Sequence, residues 1–143
     1  MLKPYILTEP RLNEKIQSLT VRTISHPEFT KFRNVFYPNG KKVIPENIKE
    51  LLSNPLTLAV WFMDDGNKVV QNGKLYGYHL NTQSFTIAEN ELLQDTLKSV
   101  WNIECTLQKN NGYTRLYILK RSAKKFRSIV EPYIIPELVY KLG

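Results

Sequence analysis

The chain has 143 residues, and 20 Lys and Arg against 13 Asp and Glu leave a formal net charge of +7. That length suits a domain with a real core, and 42% hydrophobic with 23% charged residues is the balance of a folded chain, which excludes a disordered one. A single cysteine, Cys105, excludes a disulfide framework and, with two histidines, a Cys/His zinc site; the longest apolar run, Leu58 to Met63, is far short of the ~17 residues that cross a bilayer.

Residues 1–15 show no clear period, and residues 16–24 alternate with enough β-branched side chains to predict a strand. A short helix is expected over 27–37, with Pro27 in its first turn and Phe29, Phe32, Val35 and Phe36 on one side. Pro38-Asn39-Gly40 is a turn, followed by a second short helix over 46–52. Asn54-Pro55 combines an N-cap with a first-position proline and starts a helix running to Asp65, with Gly66 expected as its left-handed C-cap. This helix is apolar nearly all round, so burial is expected on several sides. Strands at 69–70 and 75–85 flank Asn72-Gly73, a hairpin signal. Thr86 and Glu89 form a capping box that opens a helix to about Trp101, with Leu93, Leu97, Val100 and Trp101 inward. A second hairpin, 103–109 and 113–120, turns at Asn110-Asn111-Gly112; a helix over 122–131 is broken at Pro132, and a last turn covers 136–142. From residue 55 the order is αββαββα, an α+β unit with a four-stranded antiparallel sheet and helices on one face.

An internal echo accompanies this order. Phe32-Arg33 followed by Ile44-Pro45-Glu46 matches Phe126-Arg127 followed by Ile135-Pro136-Glu137, each after an expected strand. The chain is accordingly divided into 1–50, resembling the tail of a preceding half-unit, and 51–143, a complete unit.

Two of the three aspartates, Asp64 and Asp65, sit together where the apolar helix ends. A carboxylate there is disfavoured by roughly 0.3–1 kcal/mol, and the pair repels itself, so either a hard divalent cation compensates or both simply lie in solvent near Lys68. Alternation places His79, Asn81 and Gln83 on one face and Tyr78, Leu80 and Thr82 on the other. The second hairpin adds Gln108, Tyr113, Arg115 and Tyr117, with Ile103, Cys105, Leu107, Leu116 and Ile118 left for the core. A polar face is the usual solvent side of an antiparallel sheet. This one carries Asn, Gln, Arg, His and Tyr with Glu104 as its only expected carboxylate, which suits base edges in a major groove and, with the net positive charge, a DNA partner. Lys42 and Lys141 follow echoed segments, where a lysine beside a cleaved phosphate neutralises developing charge.

At Leu58-Ala59-Val60-Trp61-Phe62-Met63-Asp64-Asp65-Gly66, the chain resembles the signature of the LAGLIDADG homing endonucleases. Pro55 before the motif, Asn81-Thr82-Gln83-Ser84-Phe85-Thr86 after it and the Pro132-Tyr133, Pro136 and Tyr140-Lys141-Leu142 tail support the likeness, over roughly residues 29–142. The likeness is to the second half of the two-motif yeast mitochondrial intron type. It implies a saddle-shaped sheet in the major groove, motif helices paired at a two-fold or pseudo-two-fold axis, and site-specific hydrolysis of double-stranded DNA with Mg²⁺, for which Mn²⁺ substitutes. By the motif match Asp65 is the metal-binding acid, Asp64 offers its backbone carbonyl, Lys141 is the unit's lysine and Lys42 that of the preceding half. The polar residue after the strand falls on Gln83 or Thr86. Val60, Phe62 and Met63 are bulkier than the family's crossing residues, and Met63 replaces its other motif acid. With one motif present, a second unit is required, either another copy or a complementary half; the echo favours the half, and the Met1 start leaves a homodimer open. The rival readings on the same scaffold are an intron maturase that binds RNA and a DNA-binding regulator that does not cut. Abundant Lys, Asn, Ile and Tyr with only three Ala suggest an AT-rich genome, so a mitochondrion or chloroplast is expected.

Overall fold

Asn54 starts the central helix as its sequence dictates: in the computed structural model, which describes residues 3–110 and 112–143, its Oδ1 accepts from the Leu56 amide at 2.9 Å, with Pro55 in the first turn. Contacts divide the chain into two units, one up to Lys41 and one from Lys42 to Gly143.

In the first unit, β1 (Arg11–Asn13) pairs antiparallel with β2 (Ser18–Thr20), and α1 (Pro27–Phe36) follows. The strand expected over 16–24 is thus shorter and belongs to a hairpin. Lys15 donates its amide to Asn13 Oδ1 at 3.1 Å and Gln17 takes a φ of 48°, a turn built without glycine. His26 caps α1 by accepting from the Glu28 amide at 3.3 Å, and Tyr5, His26 and Phe29 meet edge to face. Phe32 and Val35 of α1 are exposed.

The second unit opens with α2 (Ile48–Leu51), shorter than the helix expected over 46–52; it is held by Trp101, whose indole donates to the Leu52 carbonyl at 2.8 Å. Next come α3 (Pro55–Asp65), β3 (Gly66–Gln71), β4 (Lys74–Leu80), α4 (Ile87–Trp101), β5 (Cys105–Asn110), β6 (Tyr113–Ile118) and α5 (Lys120–Val130). Short 3₁₀ turns at Glu131–Tyr133 and Pro136–Lys141 close the chain. The sheet order is β3-β4-β6-β5, antiparallel throughout. Tyr78, Leu80, Leu116 and Ile118 on one face form the core with Leu58, Ala59 and Phe62 of α3, Leu93 and Leu97 of α4, and Ala123, Phe126 and Val130 of α5. Phe62, Tyr78 and Phe126 join in a ring cluster with centroids 5.1–5.4 Å apart. This is the expected αββαββα unit. Among the described residues, no helix is long and apolar enough to cross a membrane.

Several details depart from the sequence reading. Gly66 is extended (φ −93°, ψ 152°), not left-handed; glycine is needed because a Cβ would lie 2.0 Å from the Phe62 ring and 2.4 Å from its carbonyl oxygen. The helix α3 is not covered all round: Leu58, Ala59 and Phe62 are fully buried, but Val60 is 43% exposed. The strand expected over 75–85 ends at Leu80, because the Thr82 hydroxyl takes over the Leu116 amide at 3.3 Å. The last helix begins at Lys120 rather than 122, since Ser122 Oγ accepts from the Glu104 amide at 2.9 Å instead of capping it. Of the expected turn Asn110-Asn111-Gly112, Asn111 lies outside the described residues.

Candidate active site and nucleic-acid interface

The apolar stripe of α3 delivers Asp64 and Asp65 to the helix end, where both side chains are exposed. Among the described residues, neither carboxylate has a cationic partner. The helix end finds its positive charge elsewhere: Lys141 Nζ donates to the Met63 carbonyl at 2.5 Å and lies 3.5 Å from that of Asp64. A cation there satisfies orphan carbonyls and opposes the negative end of the macrodipole. Lys141 is positioned by its neighbours: the Tyr78 hydroxyl donates to the Leu142 carbonyl at 2.9 Å, and the Arg127 guanidinium to that of Gly143 at 3.1 Å. Burial raises the Tyr78 pKa, keeping the phenol a donor.

On the Asp65 side, the Asn81 amide donates to the Asp65 carbonyl at 2.9 Å, so the segment leaving β4 is fastened to the helix end. A buried pair holds that segment. Thr82 Oγ1 donates to Asn90 Oδ1 at 2.5 Å, and Asn90 Nδ2 donates to the carbonyls of Thr86 (2.9 Å), Phe85 (3.2 Å) and Thr82 (3.4 Å). Thr86 is committed to the capping box with Glu89, whereas Gln83, half-buried in the same segment, donates Nε2 to Asn81 Oδ1 at 3.4 Å.

The sheet face opposite the helices carries the expected polar set. His79 stands between Asn67 and Tyr117 in register, and Gln108 opposite Arg115. Tyr113 is exposed, Arg115 and Gln108 are half-buried, and Tyr117 is tied through its hydroxyl to the Tyr76 carbonyl at 2.8 Å. His79 is only 8% exposed, with its ring 5.4 Å from that of Tyr117. Its pKa is lowered chiefly by burial, against a hydrogen bond to Gln108 that raises it, so the neutral ring is favoured. Glu104 is removed from this face: its carboxylate is bound by Lys98 at 3.2 Å and by Arg121 at 2.7 Å, cations of α4 and α5. That leaves the face still poorer in negative charge than the sequence suggested.

Thus the structure brings Asp64, Asp65, Lys141, Asn81 and Gln83 into one hydrogen-bonded neighbourhood, and lays His79, Gln108, Arg115, Tyr113 and Tyr117 along the adjoining sheet face. Lys42 is exposed, with Nζ 5.1 Å from the centre of the Phe85 ring, and among the described residues it has no bond to either aspartate. The sequence reading missed Asn67 and Asn90; an asparagine at a buried helix position was the one available sign of the second. Among the described residues, no group of three or more His, Cys, Asp or Glu side chains could hold a metal. Two exposed, unpaired carboxylates fit a hard cation of the Mg²⁺ kind, which keeps several waters and completes its shell with phosphate oxygens.

A family model described as the LAGLIDADG DNA endonuclease family matches residues 1–126. The cytochrome b mRNA maturase bI2 of Debaryomyces hansenii is 36% identical over 143 residues, covering 98% of this chain and 52% of that protein. A probable intron-encoded endonuclease 1 of Wickerhamomyces canadensis is 33% identical over 147 residues, covering 96% of this chain and 64% of the relative. The chain thus spans about half to two thirds of the length of these two relatives. Among solved structures, the homing endonuclease I-WcaI bound to its DNA recognition sequence superposes with a TM-score of 0.88 at 31% identity, over 99% of this chain and 67% of that one.

Proposed function

Because this chain belongs to the LAGLIDADG DNA endonuclease family, we propose that it is one half of a site-specific double-stranded DNA endonuclease hydrolysing phosphodiester bonds. The observation that carries this reading is the end of α3: two exposed, unpaired carboxylates beside a lysine held on the helix-terminal carbonyls. The Asp65 carboxylate would hold Mg²⁺, or Mn²⁺ in its place, with Asp64 offering its backbone carbonyl. The bound ion supplies an activated water and charge neutralisation at the leaving oxygen. Lys141 adds a fixed positive charge for the scissile phosphate. Gln83, anchored through Asn81 to the Asp65 carbonyl, presents a polar group to water or phosphate. The sheet face from Gln108 to Tyr113 docks in the major groove, with Arg115 as its cation.

A second unit completes the enzyme, since one such site serves one strand. The 43% exposed Val60 on the motif helix suits packing against another helix. Residues 1–50 are read as the tail of a preceding half, Lys42 being that half's lysine, which agrees with the exposure of Phe32 and Val35 where Phe126 of the echoed segment is buried. An organelle origin is supported by the AT-rich composition and by a relative named as intron-encoded. Solution mass together with cleavage of a plasmid pool in Mg²⁺ tests the proposal: discrete double-strand cuts, lost in Asp65→Asn with DNA binding retained, are expected. Undiminished cutting by Asp65→Asn would remove the assignment.

A second reading, an RNA-binding maturase, is favoured by the relative named an mRNA maturase. Selective binding to folded intron RNA over duplex DNA would choose it.

A further inference from the structure

Five side chains on the outer face of the sheet form a continuous row of hydrogen bonds with a single direction. Gln83 Nε2 donates to Asn81 Oδ1 at 3.4 Å, and Asn81 Nδ2 to Asn67 Oδ1 at 3.3 Å. Asn67 Nδ2 faces His79 Nδ1 at 3.4 Å, and His79 Nε2 meets Gln108 Oε1 at 3.0 Å. Considered alone, such a row of amides around an imidazole could run either way, because each amide can be flipped and the ring has two tautomers. One contact breaks the symmetry. Asn67 Nδ2 also lies 3.1 Å from the Lys68 carbonyl, and a carbonyl can only accept. The NH₂ of Asn67 must therefore point to that side. Its Oδ1 is left for Asn81, and Nδ1 of His79 must accept, so the ring proton sits on Nε2. That proton goes to Oε1 of Gln108.

We propose that His79 is a positioning residue for base recognition, whose Nε2–H takes one lone pair of the Gln108 oxygen and fixes which end of that amide is the NH₂, so that Gln108 favours a base with acceptors on its major-groove edge. The inference rests on the duplex-DNA reading above. A free glutamine ordinarily pairs with adenine, using its oxygen and its NH₂ together on the base's donor and acceptor. Here one of the oxygen's two lone pairs is already taken by His79, whereas the NH₂ is uncontested. Among the described residues the Gln108 NH₂ has no protein partner, and it is not among the fully buried unpaired atoms. Guanine, with O6 and N7 both accepting, is the best match; thymine, with one acceptor, is the weaker one. Adenine, whose N6 needs an acceptor, must share the Gln108 oxygen with His79 and is disfavoured in a paired contact. Arg115, opposite Gln108 in register, reinforces the preference, since a guanidinium can only donate. At the other end of the row the Gln83 oxygen has no partner among the described residues, the opposite polarity.

The test has two arms on the full chain. Long-range ¹H–¹⁵N correlation of the imidazole, which needs no DNA, is expected to show neutral His79 protonated on Nε2; protonation on Nδ1 overturns the inference. Selection of bound sites from a randomised duplex pool is expected to give one position rich in guanine and poor in adenine. Gln108→Glu, which retains the contact to His79 but has only acceptors, should move that position to cytosine by on the order of tenfold. His79→Phe should restore adenine there. Enrichment of defined sites with the same base at every position in both variants overturns the role of His79 and Gln108 and leaves the nuclease reading standing. Failure to enrich any duplex overturns both.

Discussion

Replacing Thr82 by valine changes almost no volume, since both side chains branch at Cβ, and removes one hydroxyl from a site that is fully buried. That hydroxyl gives its proton to Asn90 Oδ1 and accepts from the Leu116 amide. Valine leaves both partners without a bond where water has no access. A buried polar group so orphaned costs about 1–3 kcal/mol, so the pair should cost roughly 2–6 kcal/mol, a large share of the ~5–15 kcal/mol that holds a domain. Thr82→Ser retains the hydroxyl and loses one methyl, worth about 0.8 kcal/mol. Urea unfolding followed by circular dichroism measures both. The same clamp sets the course of residues 81–83, and Asn81 is bonded to Asp65. Cleavage per folded molecule should therefore fall in Thr82→Val and recover in Thr82→Ser. A valine variant no less stable than the serine variant would refute the reasoning, because it would mean the two partners find other bonds.

Three further outcomes follow from particular contacts. Lys141→Met, similar in length but uncharged, should leave the Met63 and Asp64 carbonyls without a cation, lowering stability by about 1–3 kcal/mol and slowing cleavage more than DNA binding; equal losses in rate and affinity would count against a role beside the phosphate. Because the His79 pKa is depressed in the folded state, the unfolded chain binds the extra proton first as pH falls. The stability His79 contributes is thus complete above its unfolded value near 6.5 and is lost below it, as pH falls towards the folded value, so the urea midpoint of the wild type should drop below about pH 6.5 by more than that of His79→Phe. Burial pushes the Cys105 thiol up to about 12, so a thiol reagent at pH 8 should label the native chain far more slowly than the urea-unfolded one.

What was legible in the sequence were local signals with one physical meaning. Asn54-Pro55 and the Thr86/Glu89 box start helices where they stand, and Asn72-Gly73 turns a hairpin with both φ values positive, 50° and 70°. The αββαββα order and the pair of aspartates at a helix end followed from these. What was not legible depended on contacts across the chain. The turn at 14–17 has no glycine to announce it. The end of β4 is decided by a hydroxyl reaching Leu116, 34 residues away, and Glu104 is withdrawn from the polar face by Lys98 and Arg121. Gly66 was identified as a helix terminator for the wrong reason, because its demand is for space beside Phe62 and not for a positive φ. Lys141 was singled out by the echoed tail, but its seat on the α3 carbonyls needed the folded chain.

The one-way row on the sheet face carries a lesson for anyone wishing to redirect this surface. Because the Lys68 carbonyl fixes its sense, the links do not switch singly: turning Asn67 around, as Asn67→Asp would do by presenting oxygen to His79, asks the imidazole to shift its proton and Gln108 to rotate its amide in the same event. Choices at the two ends of the row are then correlated, so a library that varies Gln83 and Gln108 independently will undercount the combinations that work. Substitutions here should be made in sets, with Asn67 and His79 in every set.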